Sequence, residues 1–71
     1  NKSGSYDYWI TKAYILLGDV YFRQKDYFNA KATFKSVVDN TVDAELKNEA
    51  QAKLDKVVDE ESRSSKVSGG N

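Results

Sequence analysis

A run of alternating large and small side chains, from Tyr14 to Phe34, constrains most strongly what this 71-residue chain can fold into. Its first part repeats apolar residues at i, i+3, i+4, i+7, i+8 and i+11, the spacing of an amphipathic helix. These residues are Ile10, Ala13, Tyr14, Leu17, Gly18 and Tyr21. A glycine within a helix costs roughly 1 kcal/mol relative to alanine, so Gly18 indicates close approach of a second helix. The stripe is therefore predicted to be the core face of a first helix.

A second apolar stripe follows the turn that we predict at Gln24, Lys25 and Asp26. Its members are Tyr27, Ala30, Phe34, Val37 and Val38. Asp7 and Asp26 carry short acceptor side chains where the two helices begin, so both are predicted to be N-caps. Because the connection is short, the two helices must pack antiparallel. The sequence thus predicts an all-α fold with an antiparallel helical hairpin at residues 8–40.

A third helix is predicted within residues 41–61, with an apolar face that faces the hairpin. This face consists of Leu46, Ala50, Leu54, Val57 and Val58. Residues 1–7 are mostly small and polar and are predicted to be a linker, while the Ser/Gly-rich residues 62–71 are predicted to be disordered. Because the chain begins at Asn1 and has no methionine, we expect it to be part of a longer protein.

The positions of Tyr14, Leu17, Gly18, Tyr21, Tyr27, Ala30 and Phe34 resemble the tetratricopeptide repeat, a family of stacked helical hairpins. Three positions depart from its pattern, since Tyr14 replaces the usual Trp, Lys25 the small turn residue, and Val42 the closing Pro. The third helix lacks the large residue and the Gly of a further repeat. It therefore resembles the capping helix that ends a repeat array.

The resemblance implies a function in binding proteins, because such repeats hold peptides or partner helices on the concave side of their first helices. By analogy, the groove-facing residues here would be Lys12, Ile15, Asp19, Phe22 and Arg23. Asp19 would repel a peptide carboxylate, so an apolar or basic ligand is favoured over a C-terminal carboxylate. The alternative for Ile15 and Phe22 is that they pack on a preceding repeat.

Three aromatic residues, Tyr8, Trp9 and Phe28, add more apolar surface than a core of two or three helices can bury. Aromatic side chains are enriched where proteins bind one another. These residues are therefore candidates for docking, either onto an upstream repeat of the parent protein or onto a separate partner. Because one repeat with a cap is marginally stable, self-association into a homo-oligomer is a further expectation.

Other classes of function find little support in the composition. The chain has no His and no Cys, and no motif for a nucleophile or a phosphate-binding loop, so we expect no enzyme activity, no cofactor and no metal site. Eleven basic residues balance eleven acidic ones, which disfavours nucleic-acid binding. The apolar segments are too short to span a membrane, so direct membrane insertion is not expected.

Two functional hypotheses remain. The chain is either a protein-interaction or scaffolding module whose groove holds a partner, or a structural cap that closes a solenoid and mediates self-association. The segments at residues 13–21 and 27–32 are similar to repeats of bacterial lipoproteins that act in cell-envelope assembly and secretion. That similarity suggests the periplasm or cell envelope, while the residues themselves leave the compartment open.

Overall fold

Three helices joined by short connections make up the computed structural model, which describes residues 7–70 and their side chains as far as residue 64. The helices are α1 (Tyr8–Arg23), α2 (Tyr27–Asn40) and α3 (Ala44–Gly70). α2 lies in the middle and packs closely on both α1 and α3. The prediction of an all-α hairpin followed by a third helix is therefore confirmed.

Each helix begins at an aspartate whose carboxylate accepts a hydrogen bond from a backbone N–H three residues later. Asp7 accepts from Ile10 at 3.0 Å, and Asp26 accepts from Asn29 at 3.3 Å. Asp43 makes the same contact with the N–H of Leu46, at 3.0 Å. The first N–H groups of a helix have no partner within it, so these side chains determine where each helix starts.

The turn between α1 and α2 closes the end of α1 with two backbone hydrogen bonds. Asp26 N–H donates to the carbonyl of Tyr21, and Lys25 N–H donates to that of Phe22, each at 2.9 Å. This pair of bonds is a Schellman motif, which requires a left-handed residue where glycine is usual. Lys25 occupies that position with φ of 64°. The non-glycine residue thus fits the predicted turn, at a conformational cost.

Replacing Lys25 with Gly should stabilise the chain by about 0.5–1 kcal/mol. The left-handed conformation costs a residue with a Cβ about 1–2 kcal/mol, part of which the greater freedom of glycine in the unfolded chain offsets. Urea unfolding followed by circular dichroism would measure the change. The neighbouring Gln24→Gly is the control, because Gln24 has φ of −81° and should gain nothing. Equal effects of the two substitutions would contradict this explanation.

The core lies along α2, between the other two helices. The residues buried in it are Ile15, Ala30, Phe34, Val37, Leu46, Ala50 and Val57. Gly18 is also buried, and a Cβ on it would lie 2.6 Å from Cζ of Phe34, well inside van der Waals contact. The prediction that Gly18 and Ala30 permit a close contact between the helices is confirmed.

The face of α1 that enters the core differs from the predicted one. Its buried residues are Thr11, Ile15 and Gly18. Most of the predicted stripe is exposed instead, since only Gly18 is buried and Tyr21 is half-buried. Thr11 can be buried without penalty because its hydroxyl donates to the Asp7 carbonyl at 2.9 Å. The prediction was wrong for Ile10, Ala13, Tyr14 and Leu17 because α1 is apolar on both sides, so periodicity alone could not select one.

α3 also continues beyond its predicted end. We expected it to finish near residue 61, with a disordered tail at 62–71, but the helix runs to Gly70. Arg63 donates to Asp59 at 2.7 Å and to Glu60 at 3.0 Å, so charge pairs one turn apart cross the predicted boundary. The linker predicted at residues 1–7 lies outside the described residues except for Asp7, as does residue 71 of the tail.

Candidate functional site

The groove predicted along α1 is largely filled by the chain itself. Ile15 is only 3% exposed and belongs to the core, so it cannot contact a partner. Phe22 packs against the same core, and its ring lies 5.9 Å from that of Tyr27. These two residues are therefore part of the core packing, which corrects the prediction that they face an open groove. Both residues pack within this chain.

Asp19 faces α3, where its carboxylate accepts hydrogen bonds from the Lys53 ammonium at 3.1 and 3.4 Å. Both side chains keep about a third of their surface, so solvent screens the pair and its contribution to stability is small. The pair closes the side of the groove at which α3 passes α1. The negative charge expected to face a ligand is thus already balanced from within.

A cavity of about 270 Å³ remains beside this ion pair. Its walls are formed by Asp19, Phe22, Phe34, Lys53, Lys56 and Val57. Pockets that hold small molecules usually measure about 300–1,000 Å³, so this one lies just below that range. The lining is mainly apolar, and the charge of Lys53 is balanced by Asp19.

The remaining two predicted groove residues are Lys12 and Arg23. Lys12 is half-buried, with its ammonium 5.9 Å from the centroid of the Tyr8 ring. Arg23 is exposed in the last turn, where a positive charge interacts favourably with the helix dipole. Together with Asp19, these residues form one polar strip along a helix that is otherwise apolar. The five predicted groove residues thus do not form one binding surface.

The three aromatic docking candidates are all exposed but do not lie together. The rings of Tyr8 and Trp9 meet edge to face, with centroids 4.9 Å apart, at the start of α1. Phe28 lies near the start of α2, and an antiparallel hairpin places that start beside the other end of α1, roughly 20 Å away. The hairpin thus separates Phe28 from Tyr8 and Trp9, so the three candidates do not form one docking surface.

A second apolar face runs along the whole of α1, on the side turned away from α2 and α3. We call it the outer face, and it consists of Trp9, Ile10, Ala13, Tyr14, Leu16, Leu17 and Val20. All seven residues are exposed, Trp9 to 74% and Leu16 to 64%. At about 100° per residue they occupy a continuous arc of roughly 160°, unbroken by a charge. Contiguous apolar surface of this kind is typical of a protein contact.

The sequence held a signal for this surface that the prediction did not use. Trp9, Ala13, Leu16 and Val20 are spaced by four, three and four residues, which is the spacing of a helix–helix seam. Leu16 and Val20 had no role in the predicted core or groove. α1 has two apolar stripes, and the core of a small domain can bury only one of them. The second stripe therefore indicates a contact with a partner.

Within the described residues, no helix is both long and apolar enough to span a membrane, and no three side chains group as metal ligands. Comparison of the chain with models of protein families, with curated proteins and with solved structures found no match.

Proposed function

We propose that this chain is a non-enzymatic protein-interaction or scaffolding module of the tetratricopeptide type, which binds its partners through the outer face of α1. The observation that carries the proposal is the exposure of Trp9 and Leu16 within a continuous apolar arc on a helix whose opposite side is buried. A helix that is apolar nearly all round is normally covered on both sides. The uncovered side is therefore the part that a partner completes.

The packing of the hairpin supports the repeat assignment. Gly18 and Ala30 are buried, and the ring of Phe34 lies against Gly18, so small residues stand where the two helices approach most closely. In stacked helical repeats, each unit buries one face internally and presents another face to its neighbour. The outer face has the size and apolar character that such stacking requires.

α3 supports a second part of the proposal, in which it caps the module. Leu46, Ala50 and Val57 are buried against the hairpin. The exposed side of the same helix carries charges of both signs, among them Glu45, Lys47 and Glu49. An apolar inner side and a polar outer side are typical of the terminal helix of a solenoid. Binding is therefore assigned to the α1 side of the module.

The proposal can be tested with a display library of amphipathic helical peptides, selected on the immobilised chain. Selected peptides should lose affinity by about tenfold or more with Leu16→Glu, because a carboxylate would be buried in an apolar contact. Val42→Glu is the matched control, because Val42 is 82% exposed and lies outside the outer face. Recovery of no binding peptide, or of peptides insensitive to Leu16→Glu, would contradict the proposal.

A further inference from the structure

We infer that the partner that fits the outer face is a second copy of this chain, with the two α1 helices packed antiparallel about a two-fold axis. This inference rests on the proposed function, since it names the occupant of the same surface. The inference is based on the seam formed by Trp9, Ala13, Leu16 and Val20. The intervals of four, three and four residues between them are the same from either end of the helix. A two-fold axis near residues 14 and 15 thus superimposes the seam on itself.

Side-chain sizes are complementary in this antiparallel register. Trp9 of one copy lies opposite Val20 of the other, and Ala13 lies opposite Leu16, so every large residue meets a smaller one. In a parallel pair each residue would meet its own copy, with Trp9 against Trp9 and Ala13 against Ala13. That arrangement would leave a gap at the alanines and crowd the tryptophans. Close packing requires the sizes to alternate, which favours the antiparallel arrangement.

The residues that flank the seam favour the same direction. In an antiparallel helix pair, each flank meets the equivalent flank of the other helix. Lys12 and Asp19 lie seven residues apart on one polar flank, which meets the same polar flank of the other copy, while Asp19 keeps its bond to Lys53. The opposite flank carries Ile10 and Leu17, which then meet each other. A parallel pair would instead place Lys12 and Asp19 against the apolar flank.

The area of the outer face suits a weak dimer. Its six large residues are on average about half exposed. With the roughly 200 Å² of an aromatic side chain taken as an upper value for each, they offer at most roughly 600 Å² per copy, or about 1,200 Å² in total. That total lies at the lower limit of specific interfaces between proteins. Association is therefore expected to be weak, so that the dimer dissociates on dilution.

Sedimentation equilibrium of the whole 71-residue chain, from low micromolar to millimolar concentration, tests the inference. The average mass should rise from that of the 8.0 kDa chain towards twice that value. Trp9 is the only tryptophan, so its fluorescence should shift to shorter wavelength over the same range as it leaves water. A mass that stays at the monomer value throughout would overturn the inference.

The matched pair Val20→Glu and Val58→Glu identifies the surface, since both valines lie on helices and are 42% and 47% exposed. Val20→Glu should raise the dissociation constant at least about tenfold, and Val58→Glu should leave it within about twofold. Circular dichroism would verify that both variants keep their helices. Leu17→Glu provides a second variant outside the seam, and should also weaken the dimer, because Leu17 is 39% exposed and meets Ile10 of the other copy. Dimers that tolerate Val20→Glu and Leu17→Glu would overturn the inference.

The direction of packing can be tested by disulfide formation, because the chain has no cysteine of its own. An oxidised mixture of Trp9→Cys and Val20→Cys chains should form the mixed disulfide, since these positions face each other only in the antiparallel register. If disulfides formed only between two Val20→Cys chains, the antiparallel arrangement would be overturned. If the chain stays monomeric while helical peptides still bind its outer face, the second copy is excluded and the proposed function stands. If neither binding occurs, both fail.

Discussion

Phe34→Ala should abolish the cooperative unfolding transition of this chain. Phe34 is 1% exposed, and its ring fills the space between Gly18 on α1 and the core on α2. Truncating a buried phenylalanine costs about 3–5 kcal/mol, and the core of a chain of this size rarely supplies more than that. Circular dichroism at 25 °C should therefore show most of the helix signal lost.

Phe28→Ala is the control for this prediction, because it makes the same chemical change at a ring that is 75% exposed. Surface substitutions usually alter stability by no more than about 0.5 kcal/mol, so this variant should unfold as the parent chain does. A Phe34→Ala chain that keeps its unfolding midpoint would show that the ring does not hold the hairpin together.

Gly18→Ala should destabilise the chain although alanine is the better helix former. The helix preference alone would favour alanine by roughly 1 kcal/mol. Against this, the added methyl would meet the ring atoms Cε1 and Cζ of Phe34, and overpacking of a core costs about 1–3 kcal/mol. The Phe34 ring is buried but also lines the cavity beside Asp19, so a shift of the ring would relieve part of the overpacking. We expect a net loss of about 1 kcal/mol, measured by urea unfolding.

A size series at Gly18 separates the contact from a general sensitivity of α1. Gly18→Val should cost more than Gly18→Ala, because two further methyl groups would have to fit against the same ring. Ala13→Val on the outer face is the comparison, since Ala13 is exposed and no core atom opposes it. A Gly18→Ala chain more stable than the parent would contradict the close helix contact.

The sequence predicted the features that local chemistry determines. The caps at Asp7 and Asp26 follow from their short carboxylates, and the contact at Gly18 and Ala30 follows from the two small residues. The bounds of α1 and α2 agree with the prediction to within about one residue. These features depend on a few neighbours in the chain, so the spacing of residue types is enough to locate them.

Other features depend on contacts between distant segments and could not be read from spacing. α1 has two apolar faces, and which of them is buried depends on where α2 and α3 lie. The pairing of Asp19 with Lys53 joins residues 34 positions apart, and it closes the predicted groove. The length of α3 was also underestimated, because serine and glycine in its last turns suggested disorder. The candidate site is the outer face, and not the predicted groove, for the first of these reasons.

The burial of one face of α1 and the exposure of the other both follow from the contact between Gly18 and Phe34. A double-mutant cycle of Gly18→Ala and Phe34→Leu tests this contact most directly, since leucine lacks Cε1 and Cζ, the two ring atoms that the new methyl would meet most closely. Gly18→Ala should be better tolerated in the Phe34→Leu background, with a coupling free energy of about 1 kcal/mol. Costs that add to within about 0.3 kcal/mol would show that the two residues do not touch, and would contradict the account.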